Sequence, residues 1–161
     1  MKYKITFIGL FLLIASSGAS AQIRSDEDFG LGLILGEPTG LSLKYWFDEE
    51  RAVDGALAWS LSDDDAFQMH ADYLFHDYDL SNSNEWPVYY GVGALLSFKH
   101  DEGKHHDDHK TVFGFRFPIG MSYLFENNEP FELFFEIAPV LELAPDVDLD
   151  LNAAIGLRFY F

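Results

Sequence analysis

Two groups of residues have side chains suited to chemistry. The first is the stretch Lys99-His100-Asp101-Glu102-Gly103-Lys104-His105-His106-Asp107-Asp108-His109-Lys110, which places four of the chain's six histidines within ten residues and mixes them with four acids. Imidazole and carboxylate are competent ligands for zinc, nickel or copper, and His-rich tracts read as metal-binding. The spacing fits no strict coordination motif, and ordering a flexible loop around an ion costs conformational entropy. The expectation is a solvated loop with weak metal affinity. The alternative is a true divalent-cation site formed by His100, His105, His106 and His109. No other cofactor is expected.

The second group is dispersed: Lys44, Asp54, His70, Asp72, Arg116, Glu132, Glu136, Glu142, Asp150 and Arg158, with His76 nearby, each set between apolar neighbours. His70, Asp72 and His76 could be recruited into an acid–base constellation. No serine stands beside them at a motif spacing, however, and a triad is assembled in space rather than in sequence. Asp63-Asp64-Asp65 lacks the ligand spacing and the glycine of a calcium-binding EF-hand loop and reads as a solvated turn. What the dispersed ions do depends on the elements that hold them.

The chain has 161 residues, enough for one domain. Its net charge of −17 excludes ordinary nucleic-acid binding, which needs a basic footprint. With no cysteine there is no disulfide scaffold, thiol catalysis or Cys-ligated metal. Hydrophobic residues make up 48% of the chain and aromatics 17%, which argues against disorder despite the charge.

Residues 1–21 read as a secretory signal peptide: Lys2 and Lys4 supply the positive n-region, Ile5 to Ala15 the apolar stretch, and Ala19-Ser20-Ala21 an A-x-A site cut before Gln22. The apolar stretch is too short to span a bilayer as a helix. No cysteine follows the cleavage site, so a lipid anchor is not expected. The mature chain, residues 22–161, is the single domain, and loss of the two lysines takes its charge to −19. No other segment is a candidate transmembrane helix, so any crossing of a membrane must use strands.

Apolar residues then alternate at period two. The runs begin at Phe29, Leu41, Val53, Phe67, Val88, Phe113, Phe131 and Leu149, and their 45 apolar-parity positions carry no charge. Alternation sustained this far predicts strands. Turn residues separate the runs at 37–40, 48–51, 62–65, 79–85, 99–110, 126–130 and 144–146. Eight strands in the mature chain leave about ten residues each, the length a tilted strand needs to cross a bilayer. The opposite parity is Gly, Ala, Ser and the dispersed ions. An eight-stranded barrel has room inside only for its own side chains. The large apolar set would overfill it, whereas the small and ionic set fits. The apolar face is therefore expected to meet lipid, and the sheet to close, because lipid tolerates no open edge. Phe47, Phe75, Trp86, Phe125, Phe131 and Phe161 fall where one interfacial belt would lie, and Trp59, Phe67, Phe98 and Phe113 near the other. Inside, Arg116 and Arg158 are expected to bridge Glu132, Glu136 and Asp150. Acids exceed lysine and arginine, so a protonated His70 or water-filled pockets are expected to balance them.

The ending Ile155-Gly156-Leu157-Arg158-Phe159-Tyr160-Phe161 resembles the terminal strand signal of bacterial outer-membrane barrels, which implies that the assembly machinery reads Leu157, Phe159 and Phe161. The whole mature chain resembles small OmpA/OmpX-like eight-stranded outer-membrane β-barrels. Within them it is similar to an uncharacterised family of short-looped barrels, through Gly36-Glu37-Pro38-Thr39-Gly40 with Lys44-Tyr45-Trp46, His70 to His76, and Asp150 to Gly156. The resemblance implies an all-β, eight-stranded, antiparallel up-and-down barrel in a Gram-negative outer membrane, in contact with lipid and lipopolysaccharide, and monomeric. The first and last outer loops are much shorter than in OmpA-type proteins, which weakens any inference of adhesion. The expected role is structural or interactive at the cell envelope, without enzymatic activity. The alternatives are divalent-metal binding through residues 99–110, bridging lipopolysaccharide phosphates, and lipid A modification using His70, Asp72 and His76. A pore is disfavoured by the strand count alone.

Overall fold

The computed structural model describes residues 28–37, 39–59, 67–83, 85–100, 109–125 and 130–161. The proposed signal peptide, the 62–65 turn and most of the 99–110 loop lie outside the described residues. The elements are β1 (Phe29–Glu37), β2 (Thr39–Trp46), β3 (Arg51–Trp59), β4 (Phe67–Asp77), β5 (Val88–His100), β6 (His109–Arg116), β7 (Ile119–Leu124), β8 (Phe131–Ala144) and β9 (Asp148–Tyr160). No helix among the described residues is long and apolar enough to cross a membrane.

Apart from β6 and β7, each strand pairs antiparallel with its sequence neighbour, and β9 pairs back onto β1 from Gly30↔Tyr160 to Glu37↔Ala153, closing the sheet. The sixth apolar run is divided into β6 and β7 at Phe117-Pro118. Proline has no N–H to give the ladder. The two pieces still occupy one lane, since both pair with β5 and with β8. Backbone bonds carry the lane across the break, from Gly91 N to Pro118 O (2.9 Å) and from Phe117 N to Pro139 O (3.0 Å). Nine strand segments therefore make an eight-lane barrel.

The register fixes the stagger. One rung runs Gly30↔Lys44↔Asp54↔Asp72↔Gly93↔Arg116↔Val140↔Asp150, yet Gly30 pairs with Tyr160 across the closing seam. The circuit thus returns ten residues away along β9. For eight lanes that stagger tilts the strands by roughly 40°.

Even-numbered residues point inward on every strand but β5, where the parity is reversed and Tyr89, Leu95 and Ser97 are the buried ones. The opposite face is exposed and apolar, with Leu33, Leu57, Phe115, Ile119, Phe135, Ile137, Ile155 and Leu157 among its large side chains. Around the end that carries both termini, rings touch in series: Phe29–Phe161, Phe161–Phe159, Phe159–Phe131, Phe131–Phe125, Phe125–Tyr123 and Tyr123–Trp86, at centroid separations of 4.5–6.4 Å. At the opposite end Trp59 meets Phe67 and Phe67 meets Phe98. These are the two belts expected from the sequence.

Turn chemistry holds the ends. Gly36 has φ +133°, in the range that favours glycine, and the Thr39 hydroxyl donates to its carbonyl (2.8 Å). Between β2 and β3, Asp48 Oδ1 accepts from the Glu50 and Arg51 amides at 3.0 and 2.8 Å. The Arg51 guanidinium, whose Nε lies 2.6 Å from Asp48 Oδ2, holds that exposed carboxyl below its usual range. The ten-residue connection from β4 to β5 is long, but Asp77 Oδ1 accepts from the amides of Asp79 and Leu80, and the strands flanking it keep the expected positions.

The interior is less uniformly small than the sequence suggested. Ile34, Ala56, Leu74, Tyr89, Phe134 and Ala154 form one buried apolar cluster. Glycines make room for its rings: a Cβ on Gly156 would lie 2.2 Å from the Phe134 ring, and one on Gly120 would lie 2.3 Å from that of Tyr89. Replacing Gly156 by Leu should therefore destabilise the barrel by about 1–3 kcal/mol, the range for overpacking a filled core. Urea unfolding followed by tryptophan fluorescence would measure the loss, and adding Phe134→Ala should recover part of it.

Candidate functional site: the ionic interior

The dispersed ions of the sequence meet inside the barrel because they share one strand face and the closed sheet has nowhere else to put it. They form two groups. The first, toward the end bearing the termini, is organised by Glu132 on β8. Glu132 Oε1 accepts from Lys44 Nζ (2.8 Å) and from the Ser122 hydroxyl. Its Oε2 accepts from Arg158 Nη1 (3.4 Å) and from the Tyr160 hydroxyl. Arg158 also donates through Nη2 to Asp54 Oδ2 (2.7 Å) and through Nε to the Ser42 hydroxyl (2.9 Å). Lys44 Nζ lies 2.9 Å from His76 Nε2, and His76 lies against the Trp46 ring. Trp46 Nε1 in turn donates to the Tyr160 hydroxyl (3.0 Å).

The second group centres on Arg116 from β6. Its Nε donates to Asp72 Oδ2 (3.0 Å), its Nη1 to the Asn152 side-chain carbonyl (3.1 Å) and its Nη2 to Glu136 Oε1. The Tyr89 hydroxyl donates to Glu136 Oε2 (3.1 Å), and His70 Nε2 stands 3.8 Å from Asp72 Oδ2. The apolar cluster joins the two groups. Phe134 carries the Arg158 guanidinium 3.8 Å from its ring centre, and Tyr89 from the same cluster reaches Glu136.

Lys44, Asp54, His70, Asp72, Arg116, Glu132, Glu136 and Arg158 all lie buried in these groups. Asp150 does not. β9 extends past the end of β1, so its first residues have only β8 beside them, and Asp150 is exposed there with its Oδ1 accepting from the Leu151 amide (2.8 Å). The expected bridge from an arginine to Asp150 is replaced by Arg116 with Asp72 and Asn152 and by Arg158 with Asp54. Three members went unnoticed in the sequence: Trp46, Tyr89 and Tyr160. They stand on the inward parity of their strands, but aromatic residues are read more readily as lipid-facing. Leu157, Phe159 and Phe161 line the outer face of β9 and its end.

His105 and His106 lie outside the described residues. For His100 and His109 the backbone ladder pairs one directly with the other at the top of β5 and β6. Among the described residues a single trio, His70, Asp72 and Glu136, brings candidate metal-ligand atoms within 4.8 Å of one another. His70, Asp72 and His76 face the barrel interior and not the exposed apolar wall.

A closed eight-lane antiparallel barrel with an apolar wall and an ion-paired interior is the architecture of the small outer-membrane β-barrels. The N-terminal β-barrel domain of Pseudomonas aeruginosa OprF is similar at a TM-score of 0.61 and 12% identity, covering 83% of this chain and 95% of that one. Neisserial surface protein A is similar at 0.50 and 16%, covering 84% and 94%. At these identities the likeness is one of fold. Among curated proteins, none matches the sequence. The chain belongs to the family described as "Protein of unknown function (DUF3996)", which it matches over residues 21–160.

Removing one partner of a buried ion pair leaves the other uncompensated, at a cost of about 3–5 kcal/mol. Glu132→Ala takes away the carboxylate partner of Lys44 and leaves Arg158 with Asp54 alone, and should lose about that much in urea unfolding. Asp150→Asn should change stability by less than about 0.5 kcal/mol, as surface substitutions do.

Proposed function

We propose that this protein is an integral outer-membrane β-barrel with a side-chain-filled interior, acting as a structural or interaction component of the bacterial envelope. The observation that carries the reading is the joint arrangement of the two faces: a continuous apolar wall ringed by aromatic belts, around charges that pair with one another. Lipid and the acyl chains of lipopolysaccharide are the partners such a wall suits. A monomer satisfies every lane of the sheet without a second chain, and export of residues 22–161 after removal of 1–21 fits assembly from the periplasm. No open path suggests itself through an interior where Arg116, Arg158, Tyr89, Lys44 and Phe134 are fully buried, so the reading is of a barrel that does not conduct. We read this barrel as non-enzymatic.

Two measurements check this. The protein should remain in a urea-washed outer-membrane fraction and migrate differently on detergent gels before and after boiling, since a folded barrel resists detergent until heated. Purified into planar bilayers, it should give no steady conductance. A soluble, unshifted protein would overturn the membrane reading, and sustained channels would overturn the closed interior.

A second reading is favoured by one feature. The pairing of His100 with His109 sets two histidine positions directly opposite each other in the ladder at the base of the His-rich loop. On this reading the loop takes up a divalent metal at the cell surface. Zinc titration of the folded protein should then show binding tighter than millimolar, weakened at least tenfold by His100→Ala with His109→Ala; binding no tighter than millimolar removes the reading.

A further inference from the structure

The second ionic group does not balance. Among the described residues the buried charges are Lys44, Arg116 and Arg158 against Asp54, Asp72, Glu132 and Glu136. The Glu132 group pairs Lys44 and Arg158 with Glu132 and Asp54 and is neutral. Arg116 alone faces both Asp72 and Glu136, which leaves one negative charge in excess in a fully enclosed place. An unpaired buried charge is relieved by neutralising the group.

We propose that Asp72 is a proton-binding site: in the folded barrel it is the neutral carboxylic acid, and its proton brings the Arg116 group to zero charge. Four candidates could supply the missing positive charge, and geometry separates them. Glu136 has both oxygens occupied by donors, Arg116 Nη2 on one and the Tyr89 hydroxyl on the other, as a carboxylate requires. His70 would need acceptors for two N–H groups as an imidazolium. Its Nδ1 has no partner and its Nε2 lies 3.8 Å from Asp72, beyond hydrogen-bond distance. This corrects the expectation from sequence that His70 carries the balancing proton.

A divalent metal on the His70–Asp72–Glu136 trio is the third candidate. Arg116 already donates to both of those acids, so two more positive charges would turn an excess of one negative into an excess of one positive.

Asp72 is the fourth. Only its Oδ2 meets a donor, from Arg116 Nε, while its Oδ1 has no partner and is directed at the backbone around Gly93. The register adds a second, independent pressure. Asp54 on β3 pairs directly with Asp72 on β4, both side chains face inward, and like charges directly opposite each other repel. Asp54 is itself paired with Arg158, 2.7 Å away. The other polar groups that bond within this site are Tyr89 on β5 and Asn152 on β9. Neither of them carries charge.

The test is infrared spectroscopy of the full mature chain, folded in detergent at neutral pH. A protonated carboxylic acid gives a carbonyl band well separated from carboxylates. The wild-type protein should show it, and labelling aspartate side chains with carbon-13 should shift it while labelling glutamate should not. The band should vanish in Asp72→Asn, weaken in Glu136→Gln and Asp54→Asn, each of which removes a negative charge facing Asp72, and persist in the exposed control Asp150→Asn. If Asp72→Asn does not fold, the labelling experiment on the wild type decides alone. Absence of the band, a band that moves only with labelled glutamate, a band that survives in Asp72→Asn, or one metal ion per chain by elemental analysis would each overturn the proposal. None of these results would disturb the barrel reading, which rests on the outer face.

Discussion

The constraint on which the rest depends is that hydrocarbon offers no hydrogen bonds to a peptide group. A strand in lipid must find both of its neighbours in protein, so the sheet has to return to its own first strand. Here it does so through the pairing of β1 with β9. Closure at eight lanes with a ten-residue stagger then sets the interior volume before any side chain is chosen. Every inward residue has to fit that volume and to satisfy its polar groups inside it.

Two consequences meet in the interior. Large inward rings are matched by glycines on adjoining strands, as with Phe134 over Gly156 and Tyr89 over Gly120. Charges are matched by charges contributed from strands distant in sequence: Lys44 on β2 with Glu132 on β8, Arg158 on β9 with Asp54 on β3, and Arg116 on β6 with Asp72 on β4. A misfolded register would move an entire set of ions onto the lipid side, so these long-range pairs select the native register even where their net contribution to stability is small.

Much of the fold was legible in the sequence because a closed barrel with an apolar outer wall writes a sustained period-two pattern, and the 45 uncharged positions record it. The division at Phe117-Pro118 was not foreseen, since an apolar run containing one proline at an inward position keeps its alternation. The ionic residues were legible as a set, through parity, but their partners were not. Pairing depends on the stagger, which carries Arg116 to Asp72 across β5 and sets Asp150 above the rim. Trp46, Tyr89 and Tyr160 were missed because aromatic rings on barrel strands are expected at the interface, whereas these three use their polar atoms inside.

The central claim is that the apolar parity of each strand, odd-numbered on every strand but β5, meets lipid and that the opposite parity does not. The chain contains no cysteine, so single cysteines can be introduced along β9 from Leu151 to Leu157, labelled with a small fluorophore, and the refolded barrels placed in bilayers containing brominated lipid. Quenching should alternate, strong at 151, 153, 155 and 157 and weak at 152, 154 and 156. The opposite alternation, or uniform quenching along the strand, would contradict the assignment of the two faces.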